Sequence, residues 1–421
     1  MNPTQTIPAV APAGRSSPEG TAGSPGESSG RALPLYAVLA VLAFCVFWAV
    51  LASGLVAGAR MHDFLNLYTG ASLARDGIFA AMHTPEVQLQ REREYSPQLP
   101  EVIPFVRPPF YALLLAPLGW LPFGAAFWTW LAVQSVALLG IWAWAFRRWG
   151  ADALIFGSMY LPTALGIAHG QDCVLIAAIV LGVYSLARRR PFLSGAVLGL
   201  GLIKFHLFLL WPLALLVQKR WRMLAGAMVA AFAEMLLSVL LTGVTGAARY
   251  VALLRMTDLR GLSPSPELMI NVRGLALNLG IDSRVVTGLL TALVVLLTAA
   301  ACWRAPLWRM VAAASAGSLL AVPHVYGYDA GLLLIGLWLV VFESGRCEPG
   351  KNQAGRCSRI AATILLTPLP LLLGLAGSPW AAATPLALLA FLASLAWMCP
   401  GFVSDRRQET PQPQQLLEGT P

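Results

Sequence analysis

Charge is what this chain has least of. Only 12% of its 421 residues are Asp, Glu, Lys or Arg, against 57% apolar types and a mean hydropathy of +0.68. A water-facing domain carries roughly 25% charged residues, so this sequence cannot cover its surface with polar groups, and the missing polarity implies lipid. Cysteine chemistry is thin as well. Cys45, Cys173, Cys302, Cys347, Cys357 and Cys399 show no CxxC spacing and stand mostly inside apolar stretches, so neither a disulfide framework nor a zinc site is expected. A Gly-rich phosphate loop, a paired-carboxylate motif and an internal repeat are all missing. Those gaps exclude a soluble enzyme built around a nucleotide-sugar.

The charge that is present is basic by nine and unevenly placed. In a membrane protein such an excess first reports topology, because Lys and Arg collect in cytoplasmic loops; a nucleic-acid partner is not expected. Residues 1–32 are rich in Pro, Gly, Ser, Ala and Thr, too poor in apolar side chains to order themselves. They read as a disordered cytoplasmic tail, as do residues 401–421. Between them, residues 33–400 read as one polytopic membrane domain, beginning with Leu33–Leu55 as a first span instead of a signal peptide.

Basic clusters then punctuate every second turn. Arg147-Arg148, Arg188 to Arg190, Lys219 with Arg220 and Arg222, Arg304 with Arg309, Arg346 to Arg359, and Arg406-Arg407 fall on one side. With the tail's Arg15 and Arg31, that side holds 18 of the 29 basic residues. The expected fold is therefore an all-α integral membrane protein with about 12 transmembrane helices, the range being 10–13. Both termini are then cytoplasmic, the long loops 56–107 and 243–284 lie outside, and interfacial helices occupy the first of them. Pro108 to Leu118 is too short to cross and reads as an outer interfacial or re-entrant helix. Phe192 to Val217 is long for one crossing and short for two, so it reads either as two short helices meeting near Lys204, which parity favours, or as one span with a break.

Polar function in such a chain must sit in the outer loops or in a cavity between helices. Met61-His62-Asp63-Phe64 places an acid at the outer surface, where it can serve as a base or simply cap the helix after it. Phe105-Val106-Arg107-Pro108-Pro109 gives a stiff helix entry with Arg107 at the interface, suited to bidentate contact with phosphate or to snorkelling toward headgroups. His169-Gly170-Gln171-Asp172 and Pro323-His324-Val325-Tyr326-Gly327-Tyr328-Asp329 are polar outer turns. Lys204 and Glu234 are intramembrane charges, and such residues face a cavity or a partner; a Lys204–Glu234 pair is one reading.

Taken in order, Asp63, the aromatic-x-x-Pro-Pro of 105–109, Gly170-Gln171, Gly201-Leu202-Ile203-Lys204 and Pro323-His324 with Tyr328-Asp329 resemble glycosyltransferase family 87. Members are integral membrane enzymes of the GT-C fold class, similar to bacterial polyprenyl-phosphate-mannose-dependent α-mannosyltransferases. The family's Tyr-Pro-Pro is Arg107-Pro108-Pro109 here, its Gly-Gln-x-Asn is Gly170-Gln171-Asp172-Cys173, and its Lys-Pro is Lys204-Phe205. The resemblance implies hexosyl or mannosyl transfer from a polyprenyl-phosphate donor to an envelope glycan or glycolipid at the outer face of the inner (plasma) membrane, with inversion and with Asp63 as general base. Arg107, Gln171, Lys204, Arg273 and His324 are the groups available to the donor phosphate. No cofactor is expected, and a divalent metal is compatible with the chemistry. The rival reading is a polytopic transporter or lipid-linked-sugar flippase.

Overall fold

The computed structural model describes residues 63–259, 266–347 and 353–398, with positions 42 and 45 as isolated helical residues. Apart from Leu42 and Cys45, the first span Leu33–Leu55 lies outside the described residues, as do both tails.

Among the described residues every regular element is helical. The segment after the first span folds into α1 (Asp63–Arg75) and α2 (Pro85–Arg93), followed by α3 (Pro109–Gly119), whose Pro109 stands in the first turn, where its missing N–H costs nothing. Helix α3 lies on α1, and the contact is close: a Cβ on Gly119 would stand 2.7 Å from the Ala71 carbonyl oxygen. Arg75 ties the two together by donating from Nη1 to the Gly119 carbonyl at 2.6 Å, and Tyr68 donates to the Leu121 carbonyl at 2.7 Å.

The membrane body follows: α4 (Phe123–Trp149), α5 (Ala151–Met159), α6 (Leu161–Ala168), α7 (Cys173–Leu186), α8 (Pro191–Gly199), a 3-10 segment Leu200–Phe208, α9 (Trp211–Val217) and α10 (Trp221–Leu259). Beyond residue 265 come α11 (Val272–Asn278), α12 (Arg284–Cys302), α13 (Leu307–Ala321), a 3-10 segment Gly327–Leu333, α14 (Leu334–Cys347), α15 (Gln353–Leu366), α16 (Leu369–Leu375) and α17 (Ala383–Trp397).

This is a multi-pass membrane protein whose described residues show fewer clear crossings than the twelve expected of the whole chain. Six described helices are long and apolar enough to cross, and the bent pair Ala151–Met159 with Leu161–Ala168, broken by 54°, makes a seventh. The difference has a physical source in length. At 1.5 Å per residue, about 20 residues are needed to cross roughly 30 Å of hydrocarbon, while the apolar runs at Pro109–Gly119, Cys173–Leu186 and Leu307–Ala321 form helices of 10–17 residues. Helix α13 is buried on all sides, as a helix apolar all round should be. By contrast α10 presents Met228, Phe232, Met235, Leu240 and Val244 outward, a face suited to lipid. It bends at Gly243, whose φ of 67° is open to glycine, and the helix continues to Leu259 through the first part of the expected second loop.

Residues 192–217 break where expected. Lys204 has φ −142° and ψ 58° in the middle of the 3-10 segment, a local break between α8 and α9 at which this cation is buried.

Candidate functional site

Three chain segments bring the polar motifs together. The turn 169–172 is held from two sides: Trp130 Nε1 donates to the Gly170 carbonyl at 2.7 Å, Gln134 Nε2 donates to the Gln171 carbonyl, and the Gln171 N–H closes back on the Gly166 carbonyl at 2.8 Å. Gly170 sits at φ 71°, and a Cβ there would stand 2.9 Å from Phe64 Cβ. A glycine at this position is what lets the turn approach α1. The second segment, 322–329, is fixed by Asn271, which caps α11 by accepting from the Gly274 N–H at 2.8 Å and donates Nδ2 to the Val322 carbonyl at 2.7 Å. The third is the break at Lys204.

At the open end, Asp63 is the first residue of α1, and its Oδ2 lies 2.7 Å from His169 Nδ1. Their side chains are 25% and 29% exposed. Tyr328 lies against this pair, its ring 5.8 Å from that of His169. On the other side of Tyr328, Lys204 Nζ stands 5.3 Å from the ring centroid.

Lys204 belongs to a sealed cluster. Its Nζ is 2.5 Å from Asp329 Oδ1, 3.4 Å from Asp172 Oδ1 and 3.3 Å from Gln171 Oε1. Arg107 completes the set, with Nη2 3.0 Å from Asp172 Oδ2 and 3.4 Å from Gln171 Oε1. Asp329 also accepts from the Tyr326 N–H at 3.0 Å. Two cations and two carboxylates thus balance where unpaired charge would be very costly. Burial works against the Arg107 cation, and Asp172, Tyr111, Asp329 and Tyr328 together more than offset it, so its pKa is raised.

A rim surrounds the open end. His324 is exposed, its ring 5.1 Å from Tyr326, and Tyr326 feels Glu267, Arg273, Asp329 and Asp63. Burial pushes the Tyr326 phenol up to about 12, so it stays a neutral donor. Arg273, half-buried in the first turn of α11, faces this rim through Tyr326.

The structure therefore brings Asp63, Arg107, Gln171 and Lys204 together around Tyr328, with His324 and Arg273 on the Tyr326 side. It corrects the Lys204–Glu234 pair: the carboxylates at Lys204 are Asp172 and Asp329, while Glu234 Oε2 is buried on α10 without a hydrogen bond among the described residues. Sequence reasoning placed His169, Asp172, Tyr328 and Asp329 in motifs without giving them roles. The signal for the two acids was the buried Lys itself, which demands opposite charge nearby, but the sequence offered several acids and no distances. Among the described residues no group of three or more His, Cys, Asp or Glu converges to hold a metal ion.

The sequence model of glycosyltransferase family 87 matches residues 105–326. A Mycolicibacterium smegmatis protein, described as polyprenol-phosphate-mannose-dependent alpha-(1-2)-phosphatidylinositol pentamannoside mannosyltransferase, is 29% identical over 239 residues, covering 54% of this chain and 54% of the relative. The chain thus spans about half the length of the curated relative that it matches. No solved structure matches it.

Proposed function

The chain belongs to glycosyltransferase family 87, and we propose that it transfers a hexosyl group, mannosyl by analogy with the mycobacterial relative, from a polyprenyl-phosphate donor to an envelope glycan or glycolipid. The observation that carries this reading is Asp63, a part-exposed carboxylate held beside a rim bearing Arg273 and His324. In a single displacement the acceptor oxygen attacks the anomeric carbon, the bond from that carbon to the phosphate oxygen breaks with its electron pair leaving on the lipid phosphate, and the acceptor's proton passes to Asp63. The product is inverted.

The donor already carries a good leaving group, so the protein has two tasks: to remove a proton and to stabilise developing negative charge. Arg273 and His324 meet the phosphate from the rim. Arg107, Gln171 and Lys204, engaged with Asp172 and Asp329, stand behind it in a charge-balanced cluster that holds the 169–172 turn and the break at Lys204 in place. The reaction takes place at the outer face of the inner (plasma) membrane, in a GT-C-like body whose total of about twelve crossings includes the first span, both termini being cytoplasmic.

A broken helix carrying a buried Lys is also a feature of ion-coupled carriers, which keeps a transporter or flippase as the second reading. One experiment separates them. Purified protein given a polyprenyl-phosphate mannose and a phosphatidylinositol mannoside should form an elongated glycolipid, detected by mass spectrometry. Movement of the lipid-linked sugar across proteoliposomes with no product formed would favour the carrier.

A further inference from the structure

We propose that His169 is a positioning residue for Asp63, so that proton removal from the acceptor is performed by a carboxylate–imidazole pair instead of by a lone acid. This deepens the glycosyltransferase reading and rests on it. The geometry is the contact of His169 Nδ1 with Asp63 Oδ2 at 2.7 Å, joining residues 106 apart in sequence.

An ionised carboxylate can only accept, so Nδ1 must carry the hydrogen and the neutral imidazole leaves Nε2 as its acceptor nitrogen. Asp63 Oδ2 is thereby occupied, and Oδ1 is left for the acceptor hydroxyl. When the acceptor's proton arrives on Oδ1, Oδ2 still accepts from His169, so the pair keeps its geometry through the step. A proton added to Nε2 has the opposite effect, converting the pair to an imidazolium–carboxylate ion pair and withdrawing Asp63 as a base.

Structural support alone does not account for the pair. An ion pair with about a quarter of each side chain in water contributes little to folding. Yet the turn carrying His169 is immobilised by Trp130, Gln134 and the close approach of Gly170 to Phe64. That rigidity fixes the orientation of one imidazole against one carboxylate, which is what proton transfer needs. The other groups facing the pair are Tyr328 and Tyr326 from the 326–333 segment, with Arg273 behind Tyr326 and with Lys204 and Asp329 behind Tyr328. His324, its ring 5.1 Å from that of Tyr326, is the other imidazole near the pair, so the His169 variants are compared with His324→Asn at each pH.

The test compares His169→Ala, His169→Asn and Asp63→Asn with wild type, using a polyprenyl-phosphate mannose donor and a phosphatidylinositol mannoside acceptor over a range of pH. His169→Ala should lower kcat by about tenfold to a hundredfold with little change in either KM. The acid limb of its pH profile should move to lower pH, because no imidazole is left beside Asp63 to take up a proton. His169→Asn, which returns an N–H to Asp63, should recover part of kcat while keeping the lowered acid limb. Wild-type kcat and an unmoved acid limb in His169→Ala, with Asp63→Asn inactive, overturn the role of His169 and leave the parent reading standing. A wild type inert toward polyprenyl-phosphate hexoses overturns both.

Discussion

Asp63 and His169 keep about a quarter of their side chains open, whereas Lys204, Asp329, Asp172 and Arg107, just beyond Tyr328, are 8% exposed or less. Both regions are built from acid–base partners at hydrogen-bonding distance, and they differ in what a lost partner would leave behind. In the open pair, water can solvate whichever group remains. In the sealed cluster it cannot, and each member is the reason its neighbours can be ionised at all. The cluster's charges are therefore locked to one another around the break at Lys204, whereas the Asp63–His169 pair keeps its contact with water.

The sharpest way to break this contrast is Asp63→Asn. The amide keeps the side chain's size and can still occupy the start of α1, but it cannot take a proton. Turnover should fall by on the order of a hundredfold or more, in keeping with the 10² to 10⁴ typical of general-base catalysis, while the thermal midpoint stays at the wild-type value. Near-normal turnover with both substrates saturating would place Asp63 with the structural charges.

Lys204→Met asks the converse question. It strands Asp172 and Asp329 in a sealed site, and breaking a buried pair in this way costs about 3–5 kcal/mol, so thermal unfolding in detergent should shift down strongly. Adding Asp329→Asn should return part of that loss. Adding Glu234→Leu should return none, because Glu234 is not a partner of Lys204. Rescue by Glu234→Leu would show that the cluster described here is not the one that balances the lysine.

The smallest effect concerns a third arrangement, in which charge is buried without a counter-charge. In the segment between α1 and α3, His83 accepts burial against Phe105 and Tyr250, and Glu92 packs inside with only the Ile103 N–H bonded to its Oε2. Burial lowers the His83 pKa from 6.5 to about 4 and raises that of Glu92 from 4.5 to about 7. The depressed histidine contributes stability that is full above pH 6.5 and lost as pH falls through about 4. The raised carboxyl contributes stability that is full below pH 4.5 and lost as pH rises through about 7. Limited proteolysis around residues 80–107 should therefore accelerate at both ends, and Glu92→Gln should remove the alkaline acceleration alone. An unchanged alkaline limb in Glu92→Gln would mean that the carboxyl is ionised in the folded protein.

How much of this was legible in advance depends on the range of the interaction. The break at Lys204 could be read because it follows from local arithmetic: 192–217 is too long for one span and too short for two, and a cation lies in the middle. The motifs holding Asp63, Arg107, Gln171 and His324 could be read because each is a short polar island in an apolar chain. The partner of Lys204 could not, since three acids were chemically equivalent candidates and only packing put Asp172 and Asp329, not Glu234, within reach. The number of crossings was equally opaque. An apolar run such as Leu307–Ala321 reads the same whether it crosses lipid or is wrapped by protein on every side.

By itself, then, the sequence determined that the chain is helical and lives in a membrane, because a chain with 12% charged residues has no other way to cover its surface. It also placed the polar islands and their order. Tertiary structure decided which islands meet and in what electrical state. Asp63 and His169, and likewise Lys204 and Asp329, are separated by more than 100 residues and joined only when helices pack. The strength of a charge pair depends on distance and on the water left around it, and neither quantity is written in the order of residues.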